Sequence, residues 1–156
     1  MAYLKQLSWV VALLLVACSS ELARAAEPPS DLCSLLPVAT ISKTLAYTYD
    51  SPQKSVAPRP FPNTNEGTDC KYGSGMRLVL FRVYVDPSPS ASADLFARLK
   101  TYFGKGSTPV NGVGDEAYFD KYHGLHFRKG KVRYFLDGAG TLKQKTDLAT
   151  GIAGQL

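Results

Sequence analysis

The spacing of hydrophobic positions changes several times along this chain, and each change marks an element. Val38, Ile41 and Leu45 recur at helical intervals just after Pro37, which predicts a short helix over about 36–46. Residues 47–68 hold Pro52, Pro58, Pro60 and Pro62 among polar residues with no sustained period, the pattern of a long irregular loop. Asp69–Tyr72 and Met76–Val85, separated by Gly73-Ser-Gly75, read as a β-hairpin. Its second strand is apolar on both faces, Val79, Phe81, Val83 and Val85 against Leu78, Leu80 and Tyr84, so it is expected inside a sheet. Arg82 interrupts it and is read as a long stem reaching an edge. Asp86-Pro-Ser-Pro89 ends that strand, and Ser90–Gly104 places Leu95, Phe96, Leu99, Tyr102 and Phe103 on one helical stripe, expected to be core.

The stretch from Val113 to Leu136 then alternates at period two. Glu116–Tyr122, Leu125–Arg128 and Lys131–Asp137 are predicted strands, the last two joined by a tight turn that uses Gly130 at positive φ. Leu125, Phe127, Val132, Tyr134 and Leu136 fall on the buried side. Thr141–Leu156 is a final helix weakened by Gly151 and Gly154. The fold class that follows is α+β, a mainly antiparallel sheet of about five strands with helices packed on it, in the order α-β-β-α-β-β-β-α. Val113–Leu136 is expected to form the middle of that sheet.

The amino terminus has a different character. One cation, Lys5, precedes the apolar run Leu7–Ala17, too short to span a bilayer and typical of an export signal. Two processing sites compete. Leu15-Val-Ala-Cys18 resembles a lipobox, which would make Cys18 the acylated first residue of a lipoprotein and residues 18–30 a tether, whereas Ala23-Arg-Ala25 fits cleavage that removes residues 1–25. Lipidation at Cys18 is the favoured reading. Residues 31–156 then form a single α+β domain of ordinary size, and the 45% hydrophobic and 20% charged composition is that of a folded protein. Either route disposes of Cys18, so Cys33 and Cys70 remain and are expected to form a disulfide bond in an oxidising compartment.

Charge narrows the partners. Cleavage before Cys18 leaves 17 bases against 13 acids, and cleavage before Ala26 leaves 16 against 12, a net charge of +4 in both cases. That excess suits attraction to anionic lipid, cell-wall polymer or an acidic protein, and falls short of the dense basic face needed for nucleic acid. On the face opposite Leu125 and Phe127, alternation collects His126, Arg128, Lys131, Arg133 and Phe135. Like charges on paired strands repel, so this set is the candidate anion- or partner-binding face, read otherwise as the solvated outer side of a one-sided sheet. Asp115 and Glu116, and likewise His123 and His126, point to opposite faces of a strand, so neither pair makes a site. No metal, cofactor or catalytic residue is expected; His126 and Asp120 are the least implausible catalytic candidates if the protein is a hydrolase.

Cys33-Ser-Leu-Leu-Pro37 ahead of a helix, the second cysteine in Asp69-Cys-Lys-Tyr72, and Val110-Asn-Gly-Val-Gly-Asp-Glu-Ala-Tyr118 before a strand-turn-strand, all behind an export signal, resemble a broad group of small uncharacterised bacterial cell-envelope lipoproteins. The resemblance implies a compact exported α+β domain, in the periplasm or anchored to a membrane, and carries over no catalytic residues. The function expected is a non-enzymatic binding or interaction module of the envelope. The alternatives are an envelope hydrolase and a carrier of a small apolar or anionic ligand.

Overall fold

The structure is a computed structural model and describes residues 27–156. The predicted leader and Cys18 lie outside the described residues. A 3-10 turn at Leu32–Leu35 leads into α1 (Val38–Leu45), followed by β1 (Gln53–Ala57), β2 (Gly67–Tyr72) and β3 (Val79–Val85). Then come α2 (Pro89–Phe103), β4 (Thr108–Pro109), β5 (Glu116–Phe119), β6 (Leu125–Lys129), β7 (Val132–Gly138) and α3 (Leu142–Ala153). The strands form one sheet in the order β1-β2-β3-β7-β6-β5-β4, antiparallel at every pairing. The class is α+β, and β7 is the central strand.

Strand alternation divides the sheet into two unlike faces. One carries Cys70 and Tyr72 from β2, Val79, Phe81 and Val83 from β3, Leu125 and Phe127 from β6, and Val132, Tyr134 and Leu136 from β7, all buried. The turn at Leu32–Leu35, α1 and α3 lie against this face and supply Leu35, Leu36, Ile41, Leu148, Ala149 and Ile152 to the main core. A capping box starts α3: Thr141 Oγ1 accepts from the Gln144 amide while Gln144 Oε1 accepts from the Thr141 amide. The same Gln144 donates through Nε2 to the Thr44 carbonyl at 2.8 Å, and Gln155 donates to the Leu35 carbonyl at 3.0 Å, so both ends of α3 are tied to the amino-terminal segment. Cys33 and Cys70 are bonded, with Cα atoms 5.7 Å apart. Beside the bridge, the buried Tyr72 hydroxyl lies 2.7 Å from the Leu36 carbonyl oxygen.

α2 is on the other face. Pro89 begins it, Ser88 Oγ accepts from the Ala91 amide, and Phe96 and Leu99 are buried, the helix running over β6 and β7. The sheet is therefore covered on both sides over part of its area, and the expectation of a one-sided sheet with a solvated basic face does not hold. The apolar stripe of α2 is longer than the surface it covers: Tyr102 and Phe103, expected in the core, are 74% and 47% exposed.

Two strands were not expected, which raises the count from about five to seven. β1 lies within the segment read as an irregular loop. Four of its five side chains are exposed, so it has no apolar period to detect; it is a strand because its backbone pairs with β2 from Gln53↔Lys71 to Ala57↔Gly67. β4 is a two-residue edge pairing with Tyr118 and Phe119, and its Pro109 is tolerated because no further strand needs its missing N–H. In the β6–β7 turn Gly130 takes φ +55°, and its amide donates to Asp115 Oδ2 at 2.8 Å.

Candidate ligand-binding cleft

The α2 face of the sheet is built of polar and aromatic side chains in register. Across the strands Asp69 stands opposite Arg82, Arg82 opposite Phe135, Phe135 opposite His126, and His126 opposite Tyr118; one step along, Tyr84 faces Arg133 and Arg133 faces Arg128. α2 does not close down on all of them. Between Phe96, Leu99 and Phe103 of α2, the loop Pro58–Pro60, and a floor that includes Tyr84, His126, Arg133 and Phe135, there is a cleft of about 350 Å³ with largely apolar walls.

The charges beneath this cleft are paired with care. Arg133 is 2% exposed, and its Nε and Nη2 donate to Asp86 Oδ2 and Oδ1 at 2.6 and 2.9 Å, a two-pronged contact with a carboxylate that is equally buried. Asp86 is set by its own backbone, whose amide donates to the Lys131 carbonyl at 2.8 Å just past the end of β3. The Arg133 guanidinium also lies 4.9 Å from the Tyr84 ring centre. Its remaining terminal nitrogen, Nη1, has no hydrogen-bond partner among the described residues. A buried guanidinium N–H left unmatched costs free energy, so this atom is a buried donor without an acceptor, on a residue that lines the cleft. Arg82 is held in the same way by Asp69, at 2.6 and 2.9 Å, and that hydrogen bonding holds its guanidinium firmly in the charged form. It does not run to an open edge as expected.

His126 occupies an aromatic slot. The Tyr118 ring stacks on it at 4.8 Å and 9°, and Phe135 lies 4.6 Å away on a tilted plane. Its Nε2 lies 3.1 Å from Asp120 Oδ2. The other oxygen of Asp120 accepts from the amides of Tyr122 and Gly124 at 2.8 and 2.9 Å, an arrangement that fixes the carboxylate in the β5–β6 turn. Burial lowers the pKa of His126 below its ordinary value, and the hydrogen bond to Asp120 opposes the shift in part. Burial therefore favours the neutral ring, whose Nε2 faces the carboxylate. Burial, with Asp120 nearby, raises the Tyr118 phenol well above the usual range and keeps it protonated.

Of the five residues expected on the binding face, the structure brings His126, Arg133 and Phe135 together in the cleft and leaves Arg128 and Lys131 outside its lining. Arg128 bridges Glu116 at 2.7 Å and Asp115 at 3.1 Å, so the two acids meet on one guanidinium, contrary to the expectation that they face apart: Asp115 precedes β5 and does not follow its alternation. Lys131 pairs with Glu27 at 2.9 Å. The repulsion that made this face a candidate for an outside anion is thus relieved by four carboxylates of the chain itself, Asp86, Asp115, Glu116 and Glu27. His123 is not in a strand but in the β5–β6 turn at φ +68°, its carbonyl accepting from Lys145 Nζ at 2.8 Å. Among the described residues, no group of three His, Cys, Asp or Glu is placed to hold a metal ion.

The two catalytic candidates, His126 and Asp120, do meet, but no serine, threonine or cysteine among the described residues is hydrogen-bonded to the imidazole. What the arrangement offers chemically is a largely apolar slot, an imidazole against a carboxylate, and a paired guanidinium with one unmatched nitrogen. Asp86 and Asp69 were the partners that sequence reading missed. The signal available was two arginines inside otherwise apolar strands, each of which requires a carboxylate if the strand is interior. Comparison with protein-family models, curated proteins and solved structures found no match for this chain.

Proposed function

We propose that this chain is an exported binding module of the bacterial cell envelope, without catalytic activity, whose ligand seats in the cleft between α2 and the sheet. The ligand is a small molecule with an apolar body and one anionic group. The observation that carries this reading is Arg133, a residue of the cleft lining whose buried Nη1 has no acceptor, beneath a cavity whose walls are largely apolar. A volume near 350 Å³ lies at the small end of the range for ligand sites, about 300–1,000 Å³, and suits a compact ring system or a short chain. An anionic oxygen on Nη1 would satisfy the last donor of a guanidinium that Asp86 already orients, so little ordering is left for the ligand to impose.

Two dyes that differ by one sulfonate test this: 8-anilinonaphthalene-1-sulfonate and the neutral N-phenyl-1-naphthylamine. The expected result is that both fluoresce on binding and that the anionic dye binds at least about tenfold more tightly, the scale of one charge-assisted hydrogen bond. In the double variant Asp86→Leu with Arg133→Met, which removes the ion pair as a unit, the two affinities should converge. Failure of either dye to bind the parent chain, or a preference that survives the double variant, would overturn the assignment. The envelope location rests on the leader and its cysteine, and the intact mass of the processed protein decides it by distinguishing acylated Cys18 from Ala26 as the first residue.

A further inference from the structure

Exposed aromatic side chains gather beside the cleft. Tyr102, Phe103 and Tyr122 are 74%, 47% and 76% exposed, yet they are gathered rather than scattered. Tyr102 and Phe103 are 4.8 Å apart at the end of α2, Phe61 from the proline-rich loop meets Tyr102 edge-on at 6.4 Å, and Phe103 and Tyr122 both line the cleft. Cations are interleaved with them. Lys121 Nζ is 4.8 Å from the Tyr122 ring centre, Arg98 is 4.4 Å from that of Phe61, Lys100 Nζ is 5.9 Å from that of Tyr118, and Lys105 follows the end of α2 by two residues. Among the described residues none of these four cations lies within ion-pairing distance of a carboxylate. On the sheet and its floor Arg133, Arg82, Arg128 and Lys131 are each paired with a carboxylate, whereas Lys43, Lys71 and Arg77 elsewhere are, like the rim cations, outside ion-pairing distance among the described residues.

We infer that this rim, Tyr102, Phe103 and Tyr122 with Lys100, Lys105 and Lys121, docks on the surface of an anionic lipid bilayer. Tyrosine and phenylalanine beside unpaired lysines match the two layers of such a surface, rings at the headgroup boundary and ammonium groups against the lipid phosphates. The tether is long enough to permit it. Glu27 shares a hollow with Pro89, at the start of α2, while the rim is at its far end. A 15-residue helix is about 22 Å long, and the nine residues from Cys18 to Glu27 reach up to about 30 Å when extended. A chain anchored at Cys18 could therefore lay the rim on the same membrane.

The test uses the full chain with Cys18→Ser, so that no acyl group contributes and Cys33 and Cys70 stay bridged. One added cysteine carries bimane, either at Thr101→Cys beside the rim or at Thr150→Cys, exposed on α3 across the sheet. With vesicles of phosphatidylcholine and phosphatidylglycerol at three to one, the expected result is a blue shift and quenching by lipid-borne nitroxide at position 101 and neither at 150. Pure phosphatidylcholine should give a much weaker response. Reversing Lys100, Lys105 and Lys121 to glutamate should lower the partition coefficient by roughly a hundredfold or more while leaving the melting temperature in place. No shift at 101, an equal shift at both positions, or partitioning unchanged by charge reversal would each overturn the inference, the first pointing to a protein partner instead. Dye binding in the cleft is a separate measurement, so failure of the rim and failure of the ligand site can be told apart.

Discussion

Replacing Asp86 with alanine should be among the most damaging single changes available in this protein, for a reason specific to Arg133. Both side chains of the pair are about 2% exposed or less, so water cannot stand in for the lost carboxylate. Asp86→Ala would strip two hydrogen bonds of 2.6 and 2.9 Å from a guanidinium that already has one nitrogen unsatisfied. Breaking a buried pair by removing one partner typically costs about 3–5 kcal/mol, because the remaining charge is left desolvated. For a domain of about 130 residues the unfolding entropy near the midpoint is roughly 0.27 kcal/mol/K, so the melting temperature should fall by about 11–18 °C. Arg133→Met alone should be similarly costly, since it strands Asp86. The double replacement with apolar residues should recover most of the loss. The assay is a double-mutant cycle followed by thermal and urea unfolding monitored by circular dichroism, with coincident transitions as the check on two-state behaviour. A surface pair supplies the control: Lys143 and Asp147 are 83% and 51% exposed at i,i+4, and Asp147→Asn should change stability by no more than about 0.5 kcal/mol. If Asp86→Ala costs under about 1 kcal/mol, or if the two single effects simply add, the reasoning from burial is refuted.

Three further outcomes follow from other parts of the molecule. Because the folded pKa of His126 lies below its unfolded value, the unfolded chain binds protons more readily, so His126's contribution to stability is intact above about pH 6.5 and is lost as pH falls from there through the folded pKa; His126→Gln should flatten the fall in melting temperature between pH 7 and pH 5 relative to the parent. Removing the bridge with Cys33→Ser and Cys70→Ser opens a loop with a sequence separation of 37, which by chain entropy is worth about 4 kcal/mol, read as a drop in the urea midpoint of the oxidised protein against the variant. Gly124→Ala would press a methyl group onto the Phe135 ring and Asp120 Oδ2; it should cost about 1–3 kcal/mol and weaken dye binding in the cleft, whereas Gly130→Ala, with open space around it, should leave dye binding unchanged.

The parts of the fold that were legible are those in which side-chain period and burial report the same thing. Alternation in Leu125–Phe127 and Val132–Leu136 named the core face correctly because every residue that these two runs place on that side is hydrophobic and buried, and the Pro-bounded stripe of α2 named a helix because its first turns are half buried. Legibility failed where backbone alone makes the element. Gln53–Ala57 pairs through main-chain groups with four of its five side chains in water, so nothing in its residue types distinguishes it from loop. It failed again where a helix outruns its support, so that Tyr102 and Phe103 continue a core period into solvent. The site was half visible: His126, Arg133 and Phe135 share a face by parity alone. That Arg133 is buried depends on Asp86, 47 residues earlier in sequence, and on α2 closing over a face that local pattern leaves open. Cross-strand register and the choice of face for a crossover helix are global properties, and a single strand does not encode them.

β7 shows what such a division allows over evolutionary time. Val132, Tyr134 and Leu136 pack into the main core, although Tyr134 also borders the cleft, while Arg133 and Phe135, between them in sequence, face it. Substitutions at the second set can retune what the cleft accepts without repacking the first, provided a change at Arg133 is matched at Asp86. Foldability and ligand choice are thus written on alternate letters of the same strand, and a lineage carrying this domain could diverge in ligand while its core remained unchanged.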